Sequence, residues 1–65
     1  MIIKEVLKSS IEEINKLNIE DASMKVKMLL SDILGKEKEY LLIHDNEELS
    51  QDVLDNFYAK LNRLK

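Results

Sequence analysis

The sequence contains no cysteine, no proline and only one glycine among its 65 residues. Without cysteine, neither a disulfide framework nor a metal site built on thiolates is possible, and the absence mildly favours a cytosolic location. Turns between strands commonly use glycine and proline, so their scarcity disfavours a β-fold. The chain is therefore expected to be held together by side-chain packing alone.

Long apolar runs are also missing. No window approaches the roughly 20 apolar residues of a transmembrane helix, and the N-terminal sequence Met1-Ile2-Ile3-Lys4 is too short an apolar run for a signal peptide. We therefore expect a soluble, cytoplasmic protein with no membrane partner. The length predicts a single domain over residues 1–65, near the lower size limit for a core that is stable on its own.

The charge distribution argues against binding to DNA. The formal net charge is −3, whereas non-specific nucleic-acid binding depends on an excess of Lys and Arg that neutralises phosphates. Residues 1–38 hold seven lysines and seven carboxylates, but residues 39–55 hold six carboxylates and no Lys or Arg. One end of the fold is therefore expected to be acidic.

The first half of the chain predicts two α-helices, because Leu, Ile, Lys and Glu are abundant and the apolar residues recur every three or four positions. The first helix is expected from about Ile3 to Leu17, continuous or broken near Ser9-Ser10. The second is expected from Ala22 to Leu34, capped by the Asp21 carboxylate, and to be the most buried helix. The apolar stripes are Ile3, Leu7, Ile11, Ile14 and Leu17 in the first helix, and Ala22, Val26, Leu29, Leu30 and Ile33 in the second, with Met24, Met28 and Leu34 widening it.

The second half predicts a sharp turn and two further helices. Gly35 suits the left-handed residue that ends many helices. A short third helix from about Glu37 to Ile43 should bury Tyr40, Leu41 and either Leu42 or Ile43. A strand over Tyr40 to Ile43 is the alternative, although no second strand is evident.

The last helix should begin after Ser50, whose hydroxyl is a good N-cap, with Leu49 packed beneath the helix start. Its apolar face contains Val53, Leu54, Phe57, Leu61 and Leu64. The predicted fold class is all-α, a small bundle of four helices, or five if the first helix breaks.

Three functional motifs fail at the residues that their chemistry needs. His44 is the only histidine and has no cysteine to join it as a metal ligand. Residues 45–56 have the length of a calcium loop, but Ser50 replaces the turn glycine and Asn56 replaces the bidentate glutamate. A helix-turn-helix would read DNA with residues 36–44, which end in an apolar run that cannot reach base edges. We predict no catalytic, cofactor-binding or metal-binding residue within this chain.

The order of these local patterns resembles the N-terminal helical domain of the HemK/PrmC family of S-adenosylmethionine-dependent methyltransferases. The resemblance covers nearly the whole chain and depends on order and spacing. The matching residues are Asp21-Ala22, Leu29-Leu30, Ile33-Leu34-Gly35, Lys36, Lys38, Leu41-Leu42, Leu49-Ser50, Phe57, Leu61 and Arg63.

This resemblance implies a parent enzyme that methylates the glutamine amide in the Gly-Gly-Gln loop of class I peptide chain release factors. In that enzyme the helical domain would hold the release factor, while a Rossmann-like catalytic domain elsewhere in the parent chain binds S-adenosylmethionine. The 65-residue chain alone is expected to be inactive. A free-standing helical interaction or dimerisation module is the alternative. The expected partner-binding residues of the recognition domain are Lys36, Lys38, Tyr40 and His44, since loops beside helix ends commonly carry contacts.

Overall fold

The computed structural model describes all 65 residues and contains four α-helices joined by short loops. The helices are α1 (Ile3–Lys16), α2 (Ala22–Leu34), α3 (Lys38–Ile43) and α4 (Gln51–Leu64). Helix α2 lies at the centre and packs against each of the other three helices. The all-α prediction is confirmed, and α1 continues without a break through Ser9 and Ser10.

Twelve apolar side chains form one core between the helices. It contains Leu54, Phe57 and Leu61 from α4, as expected from the apolar face of that helix. The other members are Ile3, Val6, Leu7, Ile14, Ala22, Val26, Leu30, Leu41 and Leu49.

The two long helices of the first half differ from expectation in which side chains they bury. Helix α1 buries five residues and α2 only four, so the prediction that α2 is the most buried helix is wrong. Met24 and Met28 are 54% and 46% exposed, because at about 100° per residue they lie nearly opposite the buried Val26. Leu17 is 50% exposed, since α1 ends at Lys16 and Leu17 no longer follows its buried face.

The loop between α1 and α2 corrects the predicted N-cap. Asp21 has a left-handed backbone (φ 55°, ψ 38°) and its carboxylate makes no capping hydrogen bond. A capping side chain normally needs an extended backbone at that position to reach the free amides of the next turn. The helix starts instead with the Lys25 N–H donating to the Asp21 carbonyl at 2.9 Å.

The turn at Gly35 is as predicted. Its φ is +67°, and two amides close the end of α2: Gly35 N–H donates to the Asp32 carbonyl at 3.2 Å, and Lys36 N–H donates to the Ser31 carbonyl at 3.0 Å. This pair of bonds is the Schellman arrangement, which satisfies carbonyls left free by the helix end. The turn therefore fixes where the chain enters α3.

The loop between α3 and α4 is held by the start of the chain. Ile3 N–H donates to the Glu47 carbonyl at 3.0 Å, Lys4 N–H donates to the Asp45 carbonyl at 2.9 Å, and Leu49 N–H donates to the Met1 carbonyl at 2.9 Å. The first two bonds satisfy amides in the first turn of α1 that have no partner within the helix. We call all three bonds the N-terminal clamp, because they fix the loop that follows α3 against the start of the chain.

The start of α4 agrees with the sequence. Leu49 is buried, and the Ser50 hydroxyl accepts a hydrogen bond from the Val53 N–H at 3.3 Å. The Ser50 backbone is extended (φ −70°, ψ 159°), as an N-cap requires. Both capping predictions for this helix are confirmed.

None of the four helices combines the length and the apolar character that are needed to span a bilayer.

Candidate partner-binding surface

Helix α3 exposes most of its apolar surface. Leu41 is fully buried and Tyr40 partly buried, but Leu42 is 64% and Ile43 is 74% exposed. The expectation that one of these last two residues is buried is therefore wrong. Among the other helices, α3 packs mainly against α2, so only one narrow face of this six-residue helix is covered.

Tyr40 lies at the centre of a group of polar side chains beside this exposed face. Its ring stacks on the His44 imidazole with centroids 4.2 Å apart and planes 28° apart. The Lys36 ammonium lies 5.3 Å from the centroid of the Tyr40 ring, and the Tyr40 hydroxyl donates a hydrogen bond to the Glu47 carboxylate. Lys36, Tyr40, His44 and Glu47 are called the Tyr40 cluster below.

Local backbone geometry explains how these four residues meet. The Gly35 turn places Lys36 just before α3, and the His44 N–H donates to the Tyr40 carbonyl at 2.8 Å, so the two rings lie one helical turn apart. The chain then reverses, with the Glu47 N–H donating to the His44 carbonyl at 3.0 Å. That turn returns the Glu47 carboxylate to the Tyr40 hydroxyl.

The electrostatics keep Tyr40 protonated. The hydrogen bond to Glu47 raises the pKa of Tyr40 above its ordinary value of 10.0, with smaller contributions from desolvation and from the negative charge of Glu47. At neutral pH the Tyr40 hydroxyl therefore donates its proton in the hydrogen bond to Glu47, and the uncharged Tyr40 ring contacts the Lys36 ammonium.

The cluster brings together three of the four partner-binding residues expected from the sequence. Lys36 and His44 each contact the Tyr40 ring. Lys38 lies outside the group, exposed in the first turn of α3, because it is two positions from Tyr40 and residues two apart point away from each other. Glu47 was missed; its only sequence signal is an acidic residue in a polar loop after the helix.

The cluster presents an aromatic ring, an imidazole, an ammonium and a carboxylate on an exposed surface. No pocket was found in the structure, and no group of three His, Asp or Glu residues is arranged to hold a metal ion. Tyrosine is enriched in protein interfaces, whereas lysine and glutamate are depleted there relative to the rest of the surface. The arrangement offers an aromatic face, hydrogen-bonding groups and side chains of both charges at the surface of the protein.

Comparison with known proteins identifies the family. The family model described as the PrmC N-terminal domain matches residues 5–65. A bifunctional methyltransferase of Rickettsia conorii is 31% identical over 61 residues, and one of Rickettsia felis is 33% identical over the same length. In both cases the match covers 94% of this chain and 12% of the relative.

The match covers α1 from residue 5 onwards, the other three helices completely, and the Tyr40 cluster. This chain spans about an eighth of the length of the curated relatives it matches, since 12% of each is covered. No solved structure matches it. Because the family model covers almost all of its residues, the chain belongs to the PrmC N-terminal domain family.

Proposed function

We propose that this chain is the substrate-recognition domain of an S-adenosylmethionine-dependent protein-glutamine methyltransferase. The substrate is a class I peptide chain release factor, which is methylated on the glutamine of its Gly-Gly-Gln loop. A separate catalytic domain of the enzyme binds the methyl donor and carries out the transfer. The helical domain contributes by holding the release factor in place, which reduces the entropy lost in reaching the reactive geometry.

The family match over residues 5–65 carries this proposal. The proposal is also supported by two relatives that are named as methyltransferases. The matched region is a small part of each of them. A domain of this size without a pocket is suited to binding a protein surface rather than a small molecule.

The Tyr40 cluster supports a binding role because it is already ordered. The Tyr40 side chain is fixed by its hydrogen bond to Glu47 and by the stacked His44 ring. Ordering a mobile side chain at an interface costs about 0.5–1.5 kcal/mol, so a preformed cluster loses less on binding. The N-terminal clamp adds to this, since it holds the backbone of Glu47 against α1.

The test is an NMR titration of the isotopically labelled 65-residue chain with an unlabelled class I release factor. Shifts are expected to centre on residues 36–47, which include the whole Tyr40 cluster. A double variant, Lys36→Gln with His44→Gln, should bind about tenfold more weakly, corresponding to about 1.4 kcal/mol. Both side chains are exposed, so the fold should be retained, as circular dichroism can verify.

The matched control is Asn15→Gln with Lys25→Gln, which changes two exposed side chains on α1 and α2 and also removes one positive charge. Its affinity should remain within about twofold of the unmodified chain, because these residues lie outside the cluster. The proposal is rejected if the release factor causes no shifts. It is also rejected if the control variant loses as much affinity as the cluster variant.

A further inference from the structure

The loop between α3 and α4 has few contacts of its own. None of residues 45–48 belongs to the core, and the side chains of Asn46, Glu47 and Glu48 are exposed. One backbone hydrogen bond, from the Glu47 N–H to the His44 carbonyl, ties this segment to the end of α3. The other backbone bonds of residues 45–48 belong to the N-terminal clamp. Residues 45–48 are called the clamped loop.

The start of the chain, which forms the other half of the clamp, is itself weakly held. Met1 is 47% exposed, and Ile2 is half-buried and pairs with Glu48 in an isolated antiparallel bridge. The ion pair between the Met1 amino group and the Glu48 carboxylate is exposed, so it contributes little to stability. Chain ends open at a low free-energy cost. The clamp should therefore open locally while the four helices stay folded.

Opening of the clamp would also separate Glu47 from Tyr40. The contacts of the Tyr40 ring with Lys36 and His44 arise within α3 and the turn before it. The hydrogen bond from the Tyr40 hydroxyl to Glu47 instead joins α3 to the clamped loop. The carbonyl of the same glutamate accepts the Ile3 N–H at 3.0 Å. Two bonds that share one residue in this way are expected to depend on each other.

We propose that the N-terminal clamp and the Tyr40–Glu47 hydrogen bond open and close together, as a conformational switch that the start of the chain controls. In the closed form all four members of the Tyr40 cluster are in contact with the tyrosine. In the open form Lys36 and His44 keep their contacts with the ring, whereas the Glu47 carboxylate and the Tyr40 hydroxyl are released to solvent. The two forms present different hydrogen-bonding groups beside α3, so a polypeptide that binds one of them better shifts the equilibrium towards it.

Native-state hydrogen exchange measures how often the clamp opens. Tyr40→Phe removes the hydroxyl bond to Glu47 and keeps an aromatic ring beside His44. The three amides that donate in the clamp should exchange at least about threefold faster in this variant, because the loss of one hydrogen bond favours the open form. The amides of Leu17 and Asn18 are bonded at the other end of α1 and should change less than about 1.5-fold.

The matched control for this variant is Lys36→Gln. It removes a contact of the same tyrosine ring that does not involve the clamped loop. Exchange of the clamp amides should remain within about 1.5-fold of the unmodified chain, because the bond to Glu47 is intact.

The reverse experiment weakens the clamp and observes Tyr40. An ester in place of the backbone amide at Leu49 removes the N–H that donates to the Met1 carbonyl and leaves the side chain unchanged. The matched control is an ester at Asn18, which removes a bond of 3.0 Å, against 2.9 Å at Leu49, at the far end of α1. Both are synthesised in a Tyr58→Phe background, so that an ultraviolet titration follows Tyr40 alone. The ester at Leu49 should lower the pKa of Tyr40 towards 10.0, and the control should leave it unchanged.

The inference is overturned if the clamp amides exchange equally fast in Tyr40→Phe and in the unmodified chain. It is also overturned if Lys36→Gln accelerates their exchange as much, or if both esters lower the pKa of Tyr40 alike, since either result indicates a general loss of stability. Should the ester at Leu49 prevent folding, the exchange measurements decide the outcome by themselves. Neither experiment uses a release factor, so the result is independent of the proposed function.

Discussion

The turn at Gly35 allows a sharp test of how the fold positions α3. Replacing this glycine with L-alanine adds one methyl group, and no atom lies within 4 Å of where its Cβ would be. Steric contact with the rest of the protein therefore contributes nothing. The cost comes only from the left-handed backbone, where φ is +67°.

The expected size of the effect follows from two opposing contributions. An L-residue in the left-handed region costs about 1–2 kcal/mol. Alanine also restricts the unfolded chain more than glycine does, which returns about 0.4–1 kcal/mol. The free energy of unfolding should thus fall by about 1 kcal/mol, and the melting temperature should fall by about 4–8 °C for a domain of this size.

D-alanine at the same position provides the matched control, since a D-residue favours positive φ. The chain is short enough, at 65 residues, for total chemical synthesis. The D-alanine protein should be more stable than the unmodified one by about 0.4–1 kcal/mol, because only the unfolded-state contribution remains. Urea unfolding followed by circular dichroism measures all three proteins.

Two results would refute this reasoning. Equal destabilisation by L- and D-alanine would mean that the added methyl group meets an obstacle, contrary to the open space around Gly35. No destabilisation by L-alanine would mean that the turn can relax into another conformation. In the second case the contact between Lys36 and the Tyr40 ring should be lost, because the turn fixes the entry into α3.

Three further perturbations test the core and the Tyr40 cluster. Ser10→Ala should raise the free energy of unfolding by about 1 kcal/mol, because the buried Ser10 hydroxyl has no hydrogen-bond partner; a loss of stability in urea unfolding would mean that it has one. Phe57→Ala should cost about 3–5 kcal/mol, comparable to the whole stability of so small a domain, and a cooperative melt of the variant would contradict this. Glu47→Gln, made in a Tyr58→Phe background so that only Tyr40 ionises, should lower the pKa of Tyr40 towards 10.0 in an ultraviolet titration, since Glu47 is the main cause of the raised value. An unchanged titration in the variant would rule out the Tyr40–Glu47 bond. Because folding raises the pKa of Tyr40, the contribution of this residue to stability is complete below about pH 10 and is lost as pH rises through the raised pKa.

The positions of the helices could be predicted because their signals are local. Gly35 ends α2 at the predicted residue, and Ser50 caps α4 with its own side chain. Asp21 shows the limit of such signals, since aspartate is favoured both as an N-cap and in the left-handed region. The geometry of the loop from Asn18, which is also left-handed, decides between these two uses.

The exposure of α3 could not be predicted from residue type. Four consecutive large side chains, from Tyr40 to Ile43, suggest burial when the number of neighbouring helices is unknown. Leu41 alone is fully buried, because α3 packs mainly on α2 and a single contact covers only a narrow face of a helix. Burial on a short helix is therefore decided by tertiary packing, and packing is also what leaves Leu42 and Ile43 exposed.

The candidate site was partly predictable, because part of it depends on local spacing along the chain. The spacing of Lys36, Tyr40 and His44 by four residues places them on one side of the chain, which is visible in the sequence. Glu47 joins them only through the turn after α3, and that turn is stabilised by residues more than forty positions earlier in the chain. No local pattern encodes a contact over that distance.

Glu47 belongs both to the Tyr40 cluster and to the N-terminal clamp. Its carboxylate accepts the hydrogen bond from Tyr40, and its carbonyl accepts the hydrogen bond from the Ile3 amide at the start of α1. The loop that carries Asp45 and borders Ile43 is thus fixed from both sides. Because preordering lowers the cost of binding, the N-terminal clamp should contribute to the proposed release-factor binding without contacting the release factor. Weakening the clamp should therefore reduce affinity in the NMR titration even when the side chains of the Tyr40 cluster are unchanged.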